Sequence, residues 1–257
     1  LLINKFQDKN VKILNKELKN KNIKIFKSKN KKIPESRNII LKYLRRKKFD
    51  FACFVDDDCY FKKNWVKNHF EFLNKNKKFH IVSGPQYSVP KNFYHELIAP
   101  KHKHETNINW CPTNNVFFKS NVIKKNKISF DVKLNDIGGS DQLFFNKLKL
   151  LGYKIIWNKN NPVFENYKNE RNTLSWFINR NLRYSFSGHY MDIKLNGFYK
   201  GILISFLKIN YYFLLFLTNL IIIPINPKLY ATKSLMHLTK IVGRIKGILG
   251  FYIKKYI

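Results

Sequence analysis

Apolar positions divide the chain into two unlike parts. Residues 11–19 (VKILNKELK) carry apolar side chains at helical spacing, and 23–27 (NIKIF) alternate as in a short strand. Pro34-Glu35-Ser36 opens a helix predicted to reach about Lys47, with Ile39, Ile40 and Leu44 on its apolar side. The apolar and aromatic run 49–55 (FDFACFV) predicts a strand buried on both faces, ending in Asp56-Asp57-Asp58. A helix is predicted over 62–76 and a strand over 80–84. Residues 85–112, with prolines 85, 90, 100 and 112, read as a long irregular loop. Further strands are predicted at 115–119, 154–158 and 162–166. Helices are predicted over 141–151, between Gly138-Gly139-Ser140 and Gly152, and over 173–187, capped by Thr173. Strands alternating with helices predict an α/β layer structure with a mainly parallel sheet.

The last third has a different pattern. Residues 209–227 (INYYFLLFLTNLIIIPINP) carry no charge and approach the roughly 20 apolar residues that cross a bilayer. Asn219 and Pro224 interrupt the run. It reads as a spanning helix, a helix or hairpin lying in the interface, or a buried core helix. Lys208 before it and Lys228, Lys233, Lys240, Arg244 and Lys246 after it favour contact with an anionic membrane face. The sequence therefore predicts one domain over 1–190 and a hydrophobic, basic, membrane-associating helical region over 191–257.

Composition narrows the class. Of the 257 residues, 44% are hydrophobic, enough for a core, so whole-chain disorder is excluded. Three cysteines without paired spacing exclude a disulfide scaffold and a zinc module. Lys+Arg number 49 against 16 Asp+Glu, a formal net charge of +33, which attracts polyanions. The joint abundance of Lys, Asn, Ile, Phe and Tyr is also what an AT-rich coding sequence yields, and the lysines are scattered rather than confined to one tail.

Three groups of residues carry chemistry. Three adjacent carboxylates beyond a buried strand stand where open α/β sheets bind ligands, and a cation would relieve their repulsion. Asp56 and Asp58 have the character to share one Mg2+ or Mn2+, the remaining ligands coming from water and phosphate. A polar turn is the alternative. Gly138-Gly139-Ser140-Asp141 opens a helix, where the dipole favours an ionised Asp141 able to accept a proton; ordinary capping is the alternative. Arg180 and Arg183 share a helix face, near Arg171, and suit a phosphate, or else simply face solvent.

In this order and spacing the segments PESRNIILKYLRRKKFDFACFVDDDCYF, CPTNNVFFKS, FDVKLNDIGGSDQLFFNKLKLLGYKIIWNKNNPVFE and ERNTLSWFINRNLRYS resemble family 2 glycosyltransferases of the GT-A fold, bacterial members in particular. The resemblance covers roughly residues 33–187. It implies a Rossmann-like, mainly parallel sheet flanked by helices, followed here by a hydrophobic helical extension. It implies that Asp56 and Asp58 form the DxD metal site, with Asp57 between them at the donor. It also implies that Arg37 and Asn38 lie near the donor nucleotide, that Asp141 is the catalytic base, and that Arg180 and Arg183 fall near a late basic motif. Glu165 matches an acidic or His position near the metal. Where the family usually has Glu-Asp, this chain has Ser140-Asp141, so one carboxylate is available. The family's opening strand and Asp-bearing loop are not visible, and LLINKF reads as a remnant of its second strand, so a fragment is expected.

The implied activity is metal-dependent, inverting transfer from a nucleotide-diphosphate sugar to a glycan or lipid-linked acceptor in cell-envelope polysaccharide synthesis. The expected place is the cytoplasmic face of the inner membrane, peripheral or single-span, with no nucleic acid partner. A basic nucleic-acid-binding protein and a catalytically inactive membrane-associated protein of the same fold are the competing readings.

Overall fold

The computed structural model describes residues 2–4, 25–27 and 32–250. The helix expected over 11–19 lies outside the described residues. Two short strands, β1 (Leu2–Asn4) and β2 (Ile25–Lys27), pair in parallel. Helix α1 (Ile33–Leu44) starts with Pro34 in its first turn and stops three residues before the expected Lys47.

The main sheet has five strands in the order β3-β8-β5-β9-β7, namely β3 (Phe51–Phe54), β5 (Ile81–Ser83), β7 (Asn107–Ile108), β8 (Val116–Lys119) and β9 (Ile155–Trp157). Only β5 and β9 run parallel; β3–β8, β8–β5 and β9–β7 are antiparallel. The sheet is therefore mixed rather than mainly parallel. Strand–helix alternation reveals neither that β8 returns between β3 and β5 nor that it runs against both.

Strand β3 is also not buried on both faces. It forms the edge of this sheet, it is half-buried, and Cys53 is exposed. Its apolar run reflects Phe51 stacked on Phe117 and Phe54 tilted against Phe118, partners on one neighbouring strand. Residues 85–112, expected to be irregular, contain β6 (Gln86–Val89), the short helix α3 (Phe93–Ile98) and β7. Strand β6 joins β4 (Cys59–Phe61) and β10 (Val163–Asn166) in a second sheet, ordered β4-β10-β6. Helices α2 (Trp65–Lys75), α4 (Asn121–Lys124) and α5 (Ser140–Leu150) complete the layer.

The main core cluster includes Leu41, Ile81, Phe118, Phe130, Phe144, Leu148, Ile155 and Trp157, and a second one, on Leu73, Val82, Phe117 and Ile156, packs under α2. Beneath the second sheet, Asn115 is fully buried and satisfied on both sides. Its Oδ1 accepts from Trp65 Nε1 at 3.1 Å and His69 Nε2 at 3.0 Å, and its Nδ2 donates to the carbonyls of Pro85 and Asn161, both at 3.0 Å. Because that oxygen only accepts, His69 carries its proton on Nε2.

Three long helices follow. Helix α6 (Leu174–Asn196) begins at the Thr173 cap but continues beyond the expected Ser187, and runs unbroken through the position where the domain division was expected. Helix α7 (Phe198–Ile221) starts well before residue 209 and stops before Pro224. The uncharged run is thus the end of one helix plus a turn, and Asn226 then caps α8 (Pro227–Ile248). The three helices pack on one another through close backbone approaches at Gly201 and Gly243.

Candidate active site

The site is built at the ends of β3 and α5. Beyond β3 the chain turns through Asp57 and Asp58 into β4, and the Cys59 N–H donates to the Asp56 carbonyl. Across from it, Gly138 and Gly139 both adopt positive φ, +82° and +85°, a backbone that side chains resist. A Cβ on Gly139 would also approach Ser187 Oγ at 3.0 Å, so this turn fits tightly against α6. The turn delivers Asp141 into the first turn of α5.

Arg37 connects the two acidic elements. From the buried face of α1 its guanidinium donates to Asp141 Oδ1 at 2.6 Å and to Asp56 Oδ1 at 3.1 Å, while lying over the Phe130 ring. Thr113, in the segment before β8, holds the other Asp141 oxygen through its backbone N–H (3.2 Å) and its hydroxyl (2.9 Å). Burial raises the pKa of Asp56, Arg37 opposes that shift, and the neighbouring Asp141 and Asp58 add to it.

A second ion pair borders the first. Arg171 binds Glu165 on β10 and reaches within 4.0 Å of Asp58 Oδ2. Glu165 also accepts from the Gln86 amide. Burial pushes the Glu165 carboxyl up and Asp58 adds to the shift, against Arg171. Cys59 lies among these groups. Its thiol donates to Asp58 Oδ1 at 3.7 Å and is held far above its usual range, first by burial and then by Asp56, Asp58 and Glu165. Three carboxylates thus concentrate negative potential around one turn.

The remaining sequence candidates fall into three situations. Asp57 is exposed in the turn. Asn38 is occupied structurally: its amide donates to the Phe130 carbonyl at 2.9 Å and accepts from the Phe130 N–H at 2.8 Å. Arg180 is sandwiched between Trp176 and Tyr184, at 5.0 and 4.9 Å from the ring centroids, and it acts electrostatically on Glu165, Tyr167 and His95. Arg183 lies one turn further along α6; the Nε atoms of both arginines are buried without a hydrogen-bond partner. The sequence reading gave Thr113 no role and did not count Arg171 among the site residues. Thr113 lies in a quoted motif, yet nothing in its spacing points to a carboxylate 28 residues away.

A divalent cation fits the donor set in chemistry. Asp56 and Asp58 offer hard oxygen ligands inside a negative field, although no trio of His, Cys, Asp or Glu side chains forms a metal site by itself among the described residues. Substrate phosphate and water would have to complete such a shell.

Comparisons place this architecture. Residues 4–129, just under half of the chain, match the sequence profile of Glycosyl transferase family 2. A mannosyltransferase from Pyrobaculum calidifontis, solved with GDP-Man and Mn2+, superposes with a TM-score of 0.63 at 14% identity, over 96% of this chain and 76% of that one. TarS from S. aureus gives 0.53 at 16% identity, over 76% of this chain; this chain spans only 33% of the TarS chain. GalNAc-T7, solved with UDP, GalNAc and Mn2+, gives 0.51 at 13% identity, over 73% of this chain and 44% of that one. No curated protein sequence matches significantly. Residues 4–129 are thus similar in sequence to the family 2 glycosyltransferases, and the chain shares the fold of these solved structures, the GT-A fold.

Proposed function

We propose that the chain is a metal-dependent, inverting glycosyltransferase that uses a nucleotide-diphosphate sugar and a glycan or lipid-linked acceptor. The observation that carries this reading is the Arg37 bridge, which puts the acidic turn after β3 and the Gly-Gly-Ser-Asp helix start into one site. The solved relatives bound to GDP-Man with Mn2+ and to UDP with Mn2+ support the donor class and the metal.

In this reading Asp56 and Asp58 would hold Mg2+ or Mn2+, which would supply positive charge for the donor diphosphate. Asp57 and Arg37 border the donor, and Asn38 fixes α1 against the Phe130 segment so that Arg37 is positioned. Arg180 and Arg183 contribute positive charge for a phosphate. Asp141 takes the proton of the acceptor hydroxyl as its oxygen attacks the anomeric carbon. The bond from that carbon to the diphosphate breaks, and the nucleoside diphosphate leaves with the electron pair. One base with no covalent intermediate gives inversion. The long apolar α7 supports work at a membrane; we set that work on the cytoplasmic face of the inner membrane, in cell-envelope polysaccharide synthesis. Nucleic acid is not a partner in this reading.

Incubation of the full chain with Mn2+ and GDP-mannose, UDP-GlcNAc or UDP-GalNAc, and measurement of nucleoside diphosphate release, tests the proposal. Release is expected with one of these donors. Asp141→Asn should lower acceptor-dependent release by about 10² to 10⁴-fold while sparing donor binding. Full turnover by that variant removes Asp141 from the chemistry.

A further inference from the structure

Helix α7 is built inside out. Of its 24 residues, the three buried ones are Gly201, Ser205 and Asn219, none of them large and apolar. The opposite face carries Tyr199, Leu203, Leu207, Tyr211, Leu214 and Ile221, spaced three, four or seven apart and all exposed; Leu207 and Leu214 are 60% and 61% exposed. A helix of a water-soluble bundle has the reverse arrangement.

The buried face is held by ions. Lys208 donates to both oxygens of Asp192 on α6, at 2.8 and 2.9 Å, and Arg244 of α8 joins the same carboxylate. Arg244 and His189 both bond Ser205 Oγ, at 3.1 and 2.8 Å. The middle of α7 is therefore tied to two helices that carry charges along their lengths. Sending α7 alone across a bilayer would break this cluster, and sending all three would bury their charges in hydrocarbon. The charge around the face has one sign: no aspartate or glutamate follows Asp192, whereas Lys194, Lys200, Lys228 and Lys246 are exposed on the three helices.

We infer that α7 lies in the plane of an anionic lipid surface, its Leu203–Ile221 face among the acyl chains and the flanking lysines at the headgroups, and does not span the bilayer. The occupant is the lipid surface rather than a second copy of the chain, because both the charge and the outward apolar face match it. This deepens the membrane reading given above and rests on it.

The test uses the full chain and vesicles of phosphatidylcholine with and without phosphatidylglycerol. Flotation should show binding that depends on phosphatidylglycerol. Leu207→Glu combined with Leu214→Glu, at positions already exposed, should weaken it at least about tenfold without changing the circular dichroism spectrum. Trypsin added outside should cut at both ends of α7, after Lys194 or Lys200 and after Lys228 or Lys233, and alkaline carbonate should release the protein. Protection of one end with resistance to carbonate would keep membrane association but overturn the in-plane arrangement. Absence of binding to either vesicle would remove both. Dimerisation in ultracentrifugation, abolished by the double substitution in a chain that ignores lipid, would assign the face to a second copy.

Discussion

The Asp141 carboxylate has about four lone-pair directions, and four donors meet it: Arg37, the Ser140 hydroxyl at 3.2 Å, and the Thr113 N–H and hydroxyl. For Asp141 to serve as the proposed base, one of these donors must withdraw. The Ser140 hydroxyl is a free rotor and its bond is among the longest, so it is the cheapest to release. Ser140→Ala is accordingly expected to keep kcat within about threefold, whereas Arg37→Met, which frees two carboxylates to repel each other, should lower kcat/KM by at least about 10²-fold. Steady-state kinetics with the identified donor checks both, and a large loss in Ser140→Ala would mean the hydroxyl itself takes part. Asn115 is a residue of another kind, satisfying four groups in the interior. Asn115→Ala should cost about 3 kcal/mol by stranding the Trp65 and His69 donors, seen as a lower urea midpoint.

Among the elements, α2 and α3 each bury a neutral histidine. Burial lowers the pKa of His69 and of His95 to about 4, against an ordinary 6.5. Above pH 6.5 neither state of the chain is protonated there and the full stability is present. Between 6.5 and 4 the unfolded chain takes up protons that the folded one does not, so stability falls as pH falls, by about 1.4 kcal/mol per pH unit per histidine. Unfolding midpoints measured from pH 7.5 to 4.5 should fall accordingly, and His69→Gln, which keeps a donor toward Asn115, should flatten the slope. The Gly138-Gly139 turn is the other sensitive element. Gly139→Ala forces a side chain into positive φ beside Ser187 and should destabilise by more than about 1 kcal/mol while displacing Asp141.

For the whole molecule, one buried carboxylate organises the last three helices. Asp192→Ala leaves Lys208 and Arg244 facing each other without a counter-charge, and should cost about 3 to 5 kcal/mol of the stability of that unit. Limited proteolysis should then cut first between α7 and α8, ahead of any cut in the α/β core. Unchanged resistance would show that helix packing, not the ion cluster, fixes α7.

Local pattern was sufficient to locate most elements, because strand and helix periodicities, prolines and glycines act within a few residues. It also exposed the two acidic motifs, since carboxylates clustered after an apolar run or a glycine pair are unusual wherever they occur. The order of strands, the mixed sheet and the edge position of β3 did not follow, because hydrogen-bonded neighbours come from distant segments. The Arg37 bridge, the Thr113 contacts and the structural use of Asn38 join residues 19 to 104 apart, and only the folded chain sets those distances. The same holds for α7. Its sequence determined that a long apolar helix would form, whereas which side packs inward was decided by where Asp192 and Arg244 came to rest, since a buried charge must have a partner and a leucine need not.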